Sequence, residues 1–161
     1  MIFKKDLFEN KTVLVTGGGS GIGKEIAEQF LKSGATVFIC GRKEEKLKEA
    51  IQELSVLGPC YEKVTDIRDT FQLHELATFI KEKKGRLDIL INNAGGQFLS
   101  PAEAISEKGW LAVINNNLNG TWFATQTMAN EFFIPQKEGK IITIIVNIYR
   151  GFPGMVHTGA A

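Results

Sequence analysis

A glycine-rich turn near the N-terminus constrains the fold of this chain more than any other feature. The apolar segment TVLVT (12–16) runs into GGGSGIG (17–23), and a helical pattern begins inside the glycine run. A buried strand that turns sharply into a helix is the opening of a βαβ unit. We expect Gly17 to permit the turn, Gly21 to let a pyrophosphate approach the backbone, and Gly23 to let the helix pack against the sheet.

Strand and helix patterns alternate along the rest of the chain. The strand-like apolar runs are 12–16, 35–40, 61–65, 87–92 and 141–146. Strands that are apolar on both faces, with helices between them, are typical of a parallel sheet covered on both sides. The first helix is predicted to turn Ile22, Ile26, Phe30 and Leu31 to one face. A long helix from about 106 to 133 precedes the fifth strand, which we expect to be buried.

The predicted fold class is therefore α/β, a doubly wound Rossmann-type parallel sheet with helices on both faces and strand order 3-2-1-4-5. In such a fold the N-terminus of the first helix offers free N–H groups and the positive end of its dipole to phosphates. The candidate dinucleotide-binding residues in the turn are Gly17, Gly19, Ser20, Gly21, Ile22 and Gly23.

The end of the second strand indicates which dinucleotide would bind. The strand ends in Cys40-Gly41-Arg42-Lys43. An acidic residue at this place would hold the ribose 2′-hydroxyl of NAD, whereas a guanidinium forks onto a 2′-phosphate. Arg42 and Lys43 therefore favour NADP(H). The alternative is that both residues only begin a charged helix.

Composition argues against several other functions. The 161 residues are 43% apolar and carry a formal net charge of +1, which favours one domain with a core and no nucleic-acid or membrane partner. We find no membrane-spanning run and no signal-peptide pattern, so we expect an intracellular, cytoplasmic protein, or a peroxisomal one in a eukaryote. His74 and His157 are isolated, and no metal site is predicted.

Four motifs, in order along the chain, resemble the short-chain dehydrogenase/reductase family. TGGGSGIG (16–23) resembles the family's Thr-Gly-x-x-x-Gly-x-Gly turn, and NNAG (92–95) its Asn-Asn-Ala-Gly element. Asp66 resembles the family's Asp beside the adenine, and Asn117 its active-site Asn. The resemblance implies a homo-oligomer, dimer or tetramer, in the full-length protein. It also implies further cofactor-binding residues, namely Asp66, Ile67, Asn93, Ala94 and Gly95.

The segment NNAGGQFLSPAEAISEKGW (92–110) narrows the resemblance. It is similar to peroxisomal-type trans-2-enoyl-CoA reductases and, more loosely, to NADPH-dependent 2,4-dienoyl-CoA reductases. The resemblance implies reduction of the C=C bond of an acyl-CoA-type substrate in fatty-acid metabolism. Gln97, Phe98 and Leu99 follow the fourth strand at its carboxyl end, where ligands of open α/β sheets bind. An acyl chain lying on Phe98 and Leu99 and a simple packed loop are both open interpretations.

The chain departs from the family at the expected catalytic residues. Aligned on IITIIV (141–146), Val146 stands where the family has a Ser, and Thr158 or a neighbour where it has a Tyr. This departure is compatible with the enoyl- and dienoyl-CoA branch and argues against an ordinary alcohol dehydrogenase. Asn117, in a proton relay, and Tyr149, a phenol near the end of the fifth strand, are the catalytic candidates. A carbonyl (3-ketoacyl) reductase and a non-catalytic NADP-binding sensor or scaffold remain alternatives.

The Lys of the family's Tyr-x-x-x-Lys motif would fall at or just past Ala161. We therefore expect residues 1–161 to form an NADP-binding Rossmann-type domain, the N-terminal portion of a longer short-chain reductase whose last strands lie outside it. A chain of this length would expose its fifth strand as an apolar sheet edge.

Overall fold

Five parallel strands form the sheet that the sequence predicts. The computed structural model describes residues 4–149 and 151–161. The strands are β1 (Thr12–Thr16), β2 (Thr36–Gly41), β3 (Cys60–Val64), β4 (Ile89–Asn92) and β5 (Lys140–Thr143). Their order is β3-β2-β1-β4-β5, which confirms the predicted order. The chain adds β2 and β3 on one side of β1, and then β4 and β5 on the other side. A crevice therefore opens at the carboxyl ends of β1 and β4, where the order reverses.

Helices connect the strands and cover the sheet. They are α1 (Gly21–Lys32), α2 (Glu44–Leu54), α3 (Thr70–Lys84), α4 (Glu107–Ile114), α5 (Gly120–Met128), α6 (Ile134–Gln136) and α7 (Val156–Ala160), with a 3₁₀ turn at Ala102–Ala104. The predicted long helix is present as α4, α5 and α6, which are joined by π-helical turns at Asn115–Asn119 and Ala129–Phe133. Within the described ranges, no helix combines the length and apolarity needed to cross a bilayer.

The core lies on both faces of the sheet. Val13 and Val15 of β1 pack with residues of α1 and α2, whereas Leu14 faces α3 and α5. This alternation follows from the two-residue period of a strand. Residues of α1 and α2 buried on the first face include Ala27, Leu31, Leu47, Ala50 and Leu54. Ile22 was expected on this buried face, but it is 66% exposed because it lies in the first turn of α1, where it lines the crevice.

β5 is exposed, which its apolar run does not predict but which we expect for the fifth strand of a chain of this length. All four of its residues are exposed, although the strand pairs in register with β4. The run 141–146 predicts burial from its apolar side chains, but apolar side chains become buried only where another element covers them. In the described part of the chain, β5 is the edge strand next to β4, and Ile141 and Ile142 stay open to solvent.

A buried carboxylate joins the amino ends of β1 and β4. The backbone N–H of Thr12 donates to Asp88 Oδ2 at 2.8 Å, and Lys11 and Arg86 pair with the same carboxylate. Burial opposes ionisation of Asp88, but the hydrogen bonds from Arg86 and Thr12 and the charge of Lys11 outweigh it. The pKa of Asp88 therefore lies below its usual value. This network fixes the end of the sheet opposite the crevice.

Candidate functional site

A cleft of about 460 Å³ lies at the carboxyl ends of the strands. The predicted dinucleotide-binding residues that line it are Gly17, Gly19, Ser20, Ile22, Gly23, Arg42, Lys43, Asp66, Ile67, Asn93, Ala94 and Gly95. Gly21 is not among the lining residues. The structure thus brings together segments that lie far apart in the sequence. A hydrogen bond from the Ala94 N–H to Thr16 Oγ1 joins two of these segments across 78 positions. Their role as nucleotide contacts stays a prediction.

Residues that sequence reasoning left out also line the cleft. They are Gly41, Lys46, Leu47, Thr65 and Asn116. Lys46 lies in the first turn of α2, three residues after the N-cap Lys43, and this spacing is a signal that could have identified it. Asn116 carries no such signal, because its direction depends on a π-helical turn that the sequence pattern does not reveal.

The glycines of the turn have different structural reasons. Gly17 has φ +68°, which an L side chain rarely adopts, and it lets the chain leave β1 sharply. A Cβ at Gly23 would lie 2.4 Å from both Asn93 Nδ2 and Gly17 O, so only glycine permits this close packing. Gly21 has φ +55° with open space around it, so its backbone conformation is what requires glycine.

The N-terminus of α1 is left open to the cleft. Ser20 occupies the N-cap position but makes no side-chain capping bond, and the first turn contains no acidic residue. The next two helices differ, since α2 has Glu44 and Glu45 in its first turn and α3 is capped by Asp69. The first N–H groups of α1 are therefore available to an anion.

Hydrogen bonds fasten the NNAG turn to the end of β1. Thr16 Oγ1 accepts from the backbone N–H groups of Asn93 and Ala94, each at 3.0 Å. Asn93 Nδ2 in turn donates to Thr16 O at 3.0 Å. Because these contacts use the side chain of Asn93, the turn presents mainly its backbone to the cleft.

Three positively charged side chains lie where β2 leads into α2. Arg42, Lys43 and Lys46 are exposed, line the cleft and form no ion pair within the described residues. Asp66 lies in the same cleft, but Arg68 Nε donates to its Oδ1 at 2.9 Å. That hydrogen bond is the main reason that the pKa of Asp66 lies below its usual value, and Arg42 adds to it. The Asp66 charge is thus partly neutralised by Arg68.

The two predicted catalytic residues lie in different surroundings. Asn117 lies in the π-helical turn after α4, and a Cβ at Gly95 would be 3.4 Å from its Oδ1, which places it at the border of the cleft. Tyr149 is 92% exposed in the loop after β5, and it is not among the residues lining the cleft. The described structure does not bring Tyr149 to Asn117.

The predicted substrate segment is partly packed. The Phe98 ring meets the fully buried imidazole of His157 edge-on, with ring centroids 4.5 Å apart. The backbone N–H of Ser100 donates to Gly154 O at 2.8 Å, so this loop is attached to the segment before α7. Gln97 is exposed and Leu99 is 78% exposed, so both remain available to a ligand. Phe98 is half-exposed, because one side of its ring packs against His157.

Comparison with known sequences identifies related proteins. The sequence profile described as short chain dehydrogenase matches residues 11–160. A probable 2,4-dienoyl-CoA reductase of Bacillus subtilis is 36% identical, over 95% of this chain and 61% of that protein. The peroxisomal 2,4-dienoyl-CoA reductase of Danio rerio is 34% identical, over 99% of this chain and 54% of that protein. The 3-oxoacyl-(acyl-carrier-protein) reductase FabG of Thermotoga maritima is 36% identical, over 95% and 63%.

Solved structures have the same architecture. The citronellol catabolism dehydrogenase AtuB of Pseudomonas aeruginosa superposes with a TM-score of 0.93 at 36% identity, over 99% of this chain and 66% of that one. An actinorhodin polyketide ketoreductase solved with NADPH gives a TM-score of 0.90 at 29% identity, over 93% and 59%. The chain spans between 54% and 63% of the length of the three curated relatives described above.

Proposed function

Because this chain belongs to the short-chain dehydrogenase family, we propose that it is the nucleotide-binding part of an NADPH-dependent reductase of enoyl-CoA thioesters. The observation that carries the proposal is the cleft, which joins an uncapped helix N-terminus to a group of cations that form no ion pair within the described residues. A dinucleotide phosphate has negative charge at these two places, on its pyrophosphate and on its 2′-phosphate.

The choice of NADPH over NADH rests on charge. Arg42, Lys43 and Lys46 surround the place where β2 ends, and the carboxylate that lines the cleft with them, on Asp66, is engaged by Arg68. A free carboxylate at this place would repel a 2′-phosphate, whereas guanidinium and ammonium groups bind it. The related ketoreductase structure was solved with NADPH, which agrees with this choice.

In the proposed reaction the bound cofactor supplies a hydride to the β-carbon of the thioester. The chain's own contribution is to bind the phosphates at α1, to hold the nucleotide along the NNAG turn, and to offer hydrogen-bond donors on the substrate side. Asn117 Oδ1 already accepts from Gly96 N–H at 3.0 Å, which leaves the NH₂ group of Asn117 to donate to a water or to the substrate. A donor at this place would stabilise the negative charge that develops on the enolate oxygen.

The substrate class is inferred from the relatives and from the donor set. Two of the curated relatives described above are 2,4-dienoyl-CoA reductases, at 36% and 34% identity. Reduction of a carbonyl requires an acid to protonate an alkoxide as the hydride arrives, and Val146 stands where the family has a hydroxyl. An enolate can instead be held by hydrogen bonds and protonated at carbon. The FabG relative, at 36% identity, keeps a 3-ketoacyl reductase as the second candidate.

The deciding experiment uses the full-length protein. NADPH oxidation is followed spectroscopically with a medium-chain trans-2-enoyl-CoA and with the matching 3-ketoacyl-CoA. We expect turnover of the enoyl thioester and only slow turnover of the ketoacyl thioester. Faster reduction of the ketoacyl substrate would establish the second candidate. Tight NADPH binding with no turnover of either thioester would favour a binding protein that lacks catalysis.

A further inference from the structure

We infer that Asn116 is a positioning residue that holds the carboxamide of Asn117 in one orientation. The sequence assigns Asn116 no role, and a solvated helix position would be its ordinary interpretation. In the structure it is only 8% exposed and lines the nucleotide cleft, and a Cβ at Gly96 would lie 3.6 Å from its Nδ2. The inference rests on the proposed function, since it concerns the residue to which we assign the proton relay.

The hydrogen-bond network determines which atom of each carboxamide lies where. The backbone N–H of Gly96 can only donate, so the Asn117 atom 3.0 Å from it is the oxygen Oδ1. The Asn116 atom 3.2 Å from the same oxygen must then be a donor, Nδ2. Two donors thus meet one acceptor. A flipped Asn117 would place its NH₂ group against both donors, so the flipped orientation is disfavoured.

The neighbouring carboxamide pair in the same turn is separate. Asn119 Nδ2 donates to Asn115 Oδ1 at 2.8 Å.

Residues i and i+1 do not face each other on an α-helix, yet Asn116 and Asn117 are adjacent and bonded. The π-helical turn Asn115–Asn119 is the local departure from α-helical geometry that accompanies this contact. The widened turn therefore gives Asn116 a function that an ordinary helical turn would not.

Holding Asn117 has a consequence for the proposed reaction. With Oδ1 of Asn117 occupied by Gly96 and Asn116, its NH₂ group is left as the donor on the substrate side. Without Asn116, only the Gly96 N–H restrains the carboxamide, and the donor is presented for part of the time. Such a change lowers kcat more than it weakens NADPH binding, because the donor acts on the charge that develops during the reaction.

The test compares Asn116→Ala with Asn115→Ala in the full-length protein. Both variants make the same chemical change in the same turn, and each removes one carboxamide pair. We expect Asn116→Ala to lower kcat by about tenfold or more, with NADPH affinity within about threefold of the parent. Asn115→Ala should stay within about threefold of the parent in both. Asn116→Gln keeps a donor and should recover part of the lost kcat.

A second readout does not depend on turnover. In ¹⁵N-asparagine-labelled protein without substrate, relaxation of the Asn117 side-chain amide, assigned from its loss in Asn117→Ala, reports its mobility. We expect a rigid carboxamide in the parent and in Asn115→Ala, and a mobile one in Asn116→Ala. An Asn117 amide that stays rigid in Asn116→Ala would overturn the inference. Normal turnover by Asn117→Ala would instead overturn the role of Asn117 in the proposed function and leave the relaxation result to decide on Asn116.

Discussion

At the scale of single residues, the cations that line the cleft have no ion-pair partner within the described chain. Arg42, Lys43 and Lys46 form no ion pair there, whereas Lys48, on the same helix, pairs with Glu44. Phosphate binding at the three cations would therefore create charge-assisted hydrogen bonds without breaking existing ion pairs. The consequence is a preference among nucleotides that depends on the charge at these positions.

Arg42→Asp should abolish the preference for NADPH over NADH in the full-length protein. In the parent we expect NADPH to bind more tightly by about 1.5–3 kcal/mol, the scale of hydrogen bonds to a charged group. The introduced carboxylate would repel the 2′-phosphate and accept from a ribose hydroxyl. Affinities are measured by titration of the cofactor fluorescence.

The control for this prediction is Lys48→Asp, which makes a similar change of charge on α2 outside the cleft. It should leave the preference nearly unchanged. Equal affinity of the parent for the two cofactors would contradict the assignment of NADPH. A loss of preference in Lys48→Asp as large as that in Arg42→Asp would show that the general charge of α2, and not the cleft, is responsible.

A second change at this scale is Gly23→Ala. The new Cβ would lie 2.4 Å from Asn93 Nδ2 and Gly17 O, so α1 must move away from the NNAG turn. We expect the free energy of unfolding to fall by about 1–3 kcal/mol, the range found for overpacked sites, and nucleotide affinity to fall with it. Denaturant unfolding and cofactor titration measure the two effects. Gly159→Ala, whose Cβ would meet nothing within 4 Å, is the control, and equal stability of the two variants would disprove the close packing.

At the scale of whole elements, the sequence predicts what depends on local pattern. The order of the strands and the turn at Gly17 both follow from the hydrophobic period and the placement of glycine. The apolar run of β5 alone predicts burial, because it indicates which side chains favour leaving water but not whether an element covers them. The separate expectation that a chain of this length exposes β5 as a sheet edge is confirmed. The sequence did not predict the Asn116–Asn117 contact. It depends on a π-helical turn inside the long helix, and the hydrophobic pattern predicts a regular α-helix there.

The network around Asp88 allows a prediction for the pH dependence of sheet stability. Since the pKa of Asp88 is lowered in the folded state, its stabilisation is fully present above the unfolded pKa of about 3.9 and is lost as the pH falls through the folded pKa. Asp88→Asn keeps an acceptor for Thr12 N–H but loses the charge that pairs with Arg86 and Lys11. We expect it to lower the free energy of unfolding by about 1–3 kcal/mol at pH 7.

The measurement is the difference in unfolding free energy between parent and Asp88→Asn, followed from pH 7 down to pH 2. The difference should be constant near neutral pH and shrink as the pH falls below about 4. Glu49→Gln changes an exposed carboxylate on α2, far in the sequence from every residue of this network, and it serves as the control for general charge effects. A difference that does not depend on pH would mean that the ionised form of Asp88 is not what joins β1 to β4.

At the scale of the whole molecule, two segments of the described chain each expose several large apolar side chains. One is β5 with the run that follows it, and the other is the outward face of α4, the π-helical turn and α5, which exposes Trp110, Leu111, Leu118 and Trp122. A contiguous apolar patch of large side chains on a globular domain marks an interaction surface. Aromatic residues in such a patch are frequent anchors of protein interfaces.

We predict that the α4–α5 face packs against a second copy of the full-length protein, in the homo-oligomer that the family resemblance implies. Trp122 is 56% exposed and lies on α5, so its indole would be buried if two copies pack through this face. Trp122→Glu places a charge there and should convert the full-length protein into smaller species, because an unpaired charge in an apolar interface carries a large desolvation penalty. Light scattering after size exclusion measures the mass, and circular dichroism checks that the variant stays folded. Phe71→Glu changes another exposed aromatic residue, on α3, and should leave the mass unchanged. If Trp122→Glu keeps the parent's mass while remaining folded, the oligomer does not form through this face, and another surface, with β5 the next candidate, must supply it.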